Sequence, residues 1–260
     1  MCVGNEIHFI TMPLHTFTVR LHLVETNEIF SLPRCQNDLT LKKLKSHLEL
    51  LTGIPLHFQR LQYLDEADLP DEATFKDIDI VPGGMITMRI WRHDGWGHLV
   101  AAAAKGETVK LAHLGATAEG AGGSTPHAEL LGPEQKKEWA AHRASVALFI
   151  ASHRGHAEAA GFLLTHGADV HSRTPLGRTA LHAAAVMGRC DCVELLLSYG
   201  AQALVPDSEG QTAVSLARLW GQKESEDIMV NPRWKKSSPG PVPPSGAVNG
   251  ALKQASGPTS

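Results

Sequence analysis

A repeat of fixed length in its second half constrains this 260-residue chain more than any other feature. Gly155, Gly188 and Gly221 stand 33 residues apart, and the same interval separates Leu148 from Leu181, Gly167 from Gly200, Gly177 from Gly210 and Thr179 from Thr212. A fixed period of this size marks a solenoid, in which each unit contacts only its neighbours and about three units bury a continuous core. Upstream, Leu99, Ala102, Ala103 and Gly106 show the same Leu-to-Gly interval of seven. Gly106 to Gly155 is 49 residues, sixteen more than one period, so an insertion is expected in Gly115–Gly132, whose five glycines suggest a mobile loop. About four units fit into residues 92–230, the first degenerate and the third best formed.

Gly177-Arg178-Thr179-Ala180-Leu181-His182-Ala183-Ala184 and Val193-Glu194-Leu195-Leu196-Leu197-Ser198-Tyr199-Gly200-Ala201 resemble the ankyrin consensus, as does Phe162-Leu163-Leu164-Thr165-His166-Gly167-Ala168-Asp169-Val170. The resemblance implies two short antiparallel helices per unit. Small alanines would let first helices stack closely, leucine triplets would fill the layer between units, and glycines such as Gly167 and Gly200 would end the second helix in a left-handed cap, with Gly188 another structural residue of the motif. It also implies that Thr179 and His182 hydrogen-bond to tie one turn to the next, a structural role for His182. Gln222–Val230, with Lys223, Glu224, Glu226 and Asp227, suits a terminal cap facing water.

Ankyrin arrays bind through hairpin tips and the exposed ends of first helices. Carried onto this register, the partner-binding candidates are His142, Arg143, Ser145, His153 and Arg154 in the second unit. In the third they are Pro175, Leu176, Arg178, Val186 and Met187, and in the fourth Ser208, Glu209, Gln211, Leu219 and Trp220. Met187 and Trp220 are apolar at positions usually open to solvent; Trp220 serves either a partner or the terminal cap.

The first half follows another period. Phe17, Val19, Leu21 and Leu23 alternate with Thr18, Arg20 and His22, the pattern of a half-buried strand. Thr26-Asn27-Glu28 offers a turn and Ile29–Arg34 a returning strand. Thr40 fits a helix N-cap before Leu41, Leu44, Leu48 and Leu51 at helical spacing, with Gly53 as the stop. Strands at Arg60–Leu64 and Met85–Trp91 complete an α+β roll over residues 17–91.

Gly53-Ile54-Pro55 followed by Gln59-Arg60-Leu61 resembles the signature after the helix of ubiquitin, and Leu69, Thr74-Phe75, Asp77 and Ile80 fall where that fold places its second turn. The resemblance implies a ubiquitin-like β-grasp roll, followed here by an all-α ankyrin-repeat solenoid. The last strand runs into Trp91-Arg92-His93-Asp94 instead of a free Gly-Gly end, which argues against a conjugated tag. Where ubiquitin carries its apolar recognition patch, alignment puts Gln62 and Arg89. The stretch Asp65, Glu66, Asp68, Asp71 and Glu72 is an acidic loop that faces either solvent or a basic partner. Trp91 and Arg92 adjoin without a linker, so rigid packing of the two domains is expected.

Composition narrows the function. With 24 Lys+Arg against 27 Asp+Glu the net charge is −3, unlike the strongly basic balance of a general nucleic-acid binder. Aromatic residues are 5%, in keeping with an interior of alanine and leucine. No apolar run approaches the roughly 20 residues of a membrane span. Cys2, Cys35, Cys190 and Cys192 are too few and too unevenly spaced for a disulfide framework or zinc site. The 15 histidines include His153 and His156, three apart, without further ligands at metal spacing. There is no Gly-x-Ser-x-Gly elbow and no phosphate-binding loop.

Residues 231–260 hold 6 Pro, 4 Gly and 5 Ser with Arg233, Lys235, Lys236 and Lys253 and no acid, the composition of a disordered tail; residues 1–16 read as a flexible leader. The expectation is an intracellular protein of cytoplasm or nucleus, non-enzymatic, without cofactor or metal. It would be a monomer on its own that binds protein partners but neither nucleic acid nor membrane. Its role would be an interaction scaffold or adaptor; the alternative is a ubiquitin-pathway adaptor presenting clients to a ligase or the proteasome.

Overall fold

The computed structural model describes residues 16–64, 67–91, 93–117 and 125–231. Apart from Thr16 and Asn231, the expected leader and tail lie outside the described residues, as do Asp65 and Glu66.

The roll is built from β1 (Phe17–Leu23), β2 (Glu28–Cys35), α1 (Leu41–Thr52), β3 (Gln59–Gln62) and β4 (Met85–Ile90). Strand order is β2-β1-β4-β3, with β1 antiparallel to β2, parallel to β4, and β3 antiparallel to β4. Alternation decides which face is dry: Val19, Leu21, Leu23, Leu61, Ile86, Met88 and Ile90 are all buried on the helix side. The Thr40 hydroxyl accepts from Lys43 N–H and caps α1; Leu41, Leu44 and Leu48 then fall on the stripe that meets the sheet. The acidic loop closes on the roll itself: Asp68 pairs with Arg60, Asp71 with Lys45 at 2.5 Å and Glu72 with Lys42.

Beyond β4 the described residues form four helix pairs. They are α2 (Trp96–Lys105) with α3 (Thr108–His113), then, after the short α4 (Pro126–Glu129), α5 (Pro133–Arg154) with α6 (Ala157–Thr165). The last two are α7 (Ala180–Val186) with α8 (Cys190–Ser198), and α9 (Ala213–Leu219) with α10 (Lys223–Val230). First helices pack in the series α2, α5, α7, α9, and second helices α6, α8, α10 form the outer layer. Ala102, Ala103, Ala147, Ala151, Ala183, Ala184 and Ala217 are buried in the inner series, where short side chains permit close stacking.

The glycines of the period share positive φ, and three of the helix-turn glycines are also crowded. His156, Arg189 and Gln222, the residues that open each second helix, lean back onto Gly106, Gly155 and Gly188 of the unit before, leaving no room for a Cβ. The insertion departs from expectation. Residues 118–124 lie outside the description, but the rest of Gly115–Gly132 includes α4, and the following helix is extended to 22 residues against seven in α7 and α9. Its added turns bring Trp139 onto Gly115.

Gly53 and Gly200 both sit at positive φ, 74° and 90°, but only Gly53 is crowded: a Cβ there would stand 2.6 Å from the buried ring of His153. Gly200→Ala is expected to cost about 1 kcal/mol, the left-handed penalty alone. Gly53→Ala adds overpacking of about 1–3 kcal/mol. Urea unfolding of the two variants checks the difference.

Candidate partner-binding groove

The inner face of the array is where the sequence places partner-binding residues, and in this structure α1 of the roll occupies much of it. Two stripes run along α1. Leu41, Leu44 and Leu48 face the sheet, while Ser46, Glu49 and Leu50, continued by Gly53 at the same helical spacing, face the array.

Arg178 is the hub, and it is 1% exposed. Its Nε donates to Asp207 Oδ2 at 3.0 Å and its Nη1 to the carbonyl of Ser46 at 2.7 Å. Glu49 Oε1 lies 3.7 Å from Nη1 and Glu209 Oε1 3.6 Å from Nη2. Asp207 is fixed by its own turn, its Oδ1 accepting from the N–H groups of Glu209 and Gln211 at 2.9 and 2.8 Å. The hydroxyl of Ser46 donates to Glu209 at 2.6 Å. Glu49 has no exposed surface; it accepts from Leu56 N–H at 2.7 Å and from the Thr174 hydroxyl at 2.8 Å. Burial raises its carboxyl above the ordinary value despite those bonds and Arg178. A guanidinium so buried needs acceptors from both sides, and removing either side leaves an uncompensated charge.

The second unit grips the C-terminal end of α1. His153, 1% exposed, donates from Nε2 to the Leu50 carbonyl at 2.8 Å, and its Nδ1 has no hydrogen-bond partner. A proton on the buried, unpartnered Nδ1 would add a charge with no acceptor, so burial favours the neutral ring and drives its pKa down to about 3. Arg154 makes a two-pronged pair with Glu28 of β2 at 2.6 and 2.7 Å and also reaches the Thr52 carbonyl at 3.1 Å. Burial pushes Glu28 up, but its bonds from Arg154 and Thr26 outweigh this and hold it below the usual carboxylate range. Leu50 closes the seam against Val186 and Leu216, with Met187 and Trp220 at its edge; His47 stacks on Trp220 at 5.8 Å between ring centroids.

Several candidates are therefore not open to solvent as the register implied. Arg143 is fully buried under Trp96 and Trp139, 4.8 and 4.6 Å from the ring centroids. It donates to the carbonyls of Leu114 and Asp94 at 2.6 and 2.8 Å, so it ties the junction together. His153, Arg178 and Val186 are buried because the roll covers them. Arg154, Met187 and Trp220 are partly covered, Leu176 is half-buried in its hairpin, and Glu209 remains exposed while bonded to Ser46. Thr179 N–H donates to His182 Nδ1 at 3.1 Å, leaving Nε2 to donate to the Val205 carbonyl at 3.1 Å across the turn.

Sequence reasoning missed Ser46, Glu49, Leu50 and Thr174. One signal was present: His153 shares its register with Val186 and Leu219, so a polar residue stands in an otherwise apolar series along the inner face. Among the described residues no group of three or more His, Cys, Asp or Glu could hold a metal ion, and no helix is long and apolar enough to cross a membrane.

Comparison with known families agrees with this architecture. Residues 148–231 match a family model described as ankyrin repeats, with three copies, and residues 18–77 match one described as a ubiquitin-like domain. The chain thus carries a ubiquitin-like domain with a mixed sheet, followed by a helical region of ankyrin repeats, modules whose general function is protein–protein interaction. No curated protein matches it.

Between pH 3 and 6.5 the unfolded chain protonates His153 and the folded chain does not, so this group makes stability rise with pH across that window. Glu49 acts with the opposite sign above pH 4.5, which is why a comparison at one residue is needed. His153→Gln keeps a donor for Leu50 and is expected to flatten the acid limb of stability by up to about 1.4 kcal/mol per pH unit. Denaturant unfolding of both chains from pH 4.5 to 6.5 checks it.

Proposed function

We propose that this chain is a non-enzymatic interaction scaffold or adaptor that holds protein partners through the inner face of its ankyrin array and through its ubiquitin-like roll. The carrying observation is that the inner face engages a helix, its own α1, by one stripe of side chains, the contact type by which grooves recognise amphipathic helices. The order of the two modules resembles the ankyrin repeat domain-containing protein 60 group. Free thiols at Cys35, Cys190 and Cys192 suit the reducing interior of a cell, cytoplasm or nucleus.

Leu219 is 71% exposed next to Trp220 at the open end of the groove and is the natural place to disturb a partner without touching the core. Proximity labelling in cells, comparing the full chain with Leu219→Glu, tests the reading. It requires a set of neighbouring proteins to fall several-fold in the variant at equal chain abundance. Identical neighbour sets for both chains contradict it.

A further inference from the structure

The groove of the array is only partly covered. The register that runs along its inner face is His153, Val186 and Leu219 in one line and Arg154, Met187 and Trp220 in the next. The roll buries His153 and Val186 but leaves Leu219 71% exposed. Between the N-terminal half of α1 and the fourth unit the seam opens into a cleft of about 520 Å³ lined by Lys43, His47, Gln211, Leu216, Leu219 and Trp220. Part of the inner face beside the N-terminal half of α1 is therefore uncovered.

The fit of α1 is also incomplete in polar terms. His153 Nδ1 and Arg154 Nε, both buried at the contact, have no hydrogen-bond partner among the described residues. Buried polar groups without partners oppose closure, and the contact otherwise joins the charge pairs Arg154–Glu28 and Arg178–Glu49 to a narrow apolar seam. What keeps α1 in place is in part its tether: β4 ends at Ile90 and α2 begins at Trp96, so the roll is held beside the groove at high effective concentration.

Resting on the interaction reading above, we propose that α1 is a built-in occupant that masks the groove, and that the partner the groove takes is an external amphipathic helix bearing the same face. That face has a hydroxyl residue, a carboxylate three positions later, a leucine-sized residue next to it, and a small residue three further on, as in Ser46, Glu49, Leu50 and Gly53. The carboxylate is recognised by Arg178 and Thr174, the leucine by Val186 and Leu216, and the small residue by the face of the His153 ring. A helix with apolar side chains where α1 has Lys43 and His47 gains the Leu219 surface that α1 leaves open. Glu28 and Arg154 act as the latch, since their pair joins β2 to the array outside the α1 stripe.

Masking makes the apparent affinity of an external helix proportional to the fraction of chains with an open groove. The probe is a fluorescent peptide of residues 40–53 cross-linked between positions 44 and 48, whose native side chains face the roll. The cross-link offsets the poor helicity of so short a segment. Its anisotropy is measured with the wild-type full chain, with Glu28→Arg, and with Glu28→Arg combined with Arg178→Ala, each checked for folding by circular dichroism. The proposal requires at least tenfold tighter binding to Glu28→Arg than to wild type, lost on adding Arg178→Ala and lost for a peptide carrying Glu49→Lys. Equal affinity for wild type and Glu28→Arg, or no binding to a folded Glu28→Arg chain, overturns it. If the peptide fails while Leu219→Glu still alters the cellular neighbours, this inference falls and the interaction reading stands.

Discussion

A buried guanidinium organises this molecule. Arg178 lies in the hairpin before α7, where a charged side chain normally reaches water, and it is sealed by the roll. Burying such a group is unfavourable unless its donors meet acceptors in good geometry. Asp207 supplies the acceptor from the next unit, Ser46 supplies its carbonyl from the roll, and the carboxylates of Glu49 and Glu209 sit within 4 Å. The site is complete only when repeats and roll are together, so the two halves depend on one another through this residue. His153, Arg154 and the Leu50 seam extend the contact, while Arg143 between two tryptophans secures the junction.

This dependence changes what the inner face of the array means. In an array without a neighbour, first-helix ends and hairpin tips are the open surface. Here a large part of that surface is already bound, and its residues have acquired the properties of an interior: a neutral imidazole, a carboxyl pushed upward, an apolar seam. The surface that remains is at the fourth unit, where a cleft separates the N-terminal half of α1 from Leu219.

Much of the fold was legible because each half obeys a strict period. Alternation in Phe17–Leu23, the cap at Thr40 and the Leu41–Leu44–Leu48 stripe report local geometry that the roll alone enforces. The interval of 33 between glycines reports the repeated left-handed turn, and at Gly155 and Gly188 also contact between adjacent units, since a side chain of the next unit fills each of those two Cβ positions. The second stripe of α1 was not legible. Ser46 and Glu49 are residue types that ordinarily face water, and their contact with Arg178, 132 and 129 positions away, is one that no local pattern encodes. The helical extension at Pro133 was hidden for a related reason: glycines at Gly115–Gly132 suggest a loop, whereas Trp139 and Arg143 fix the segment through tertiary contacts.

Hydrogen exchange at single amides tests the mutual dependence of the two halves most directly. In the wild-type chain the amides of Leu50 and Leu51 in α1 and of Ala184 and Ala185 in α7 should open with similar free energy, as parts of one cooperative unit. Arg178→Ala should lower protection at both sites together, by about 3 kcal/mol or more. If both sites keep their wild-type protection in that variant, the buried guanidinium does not couple roll and array and the account is wrong.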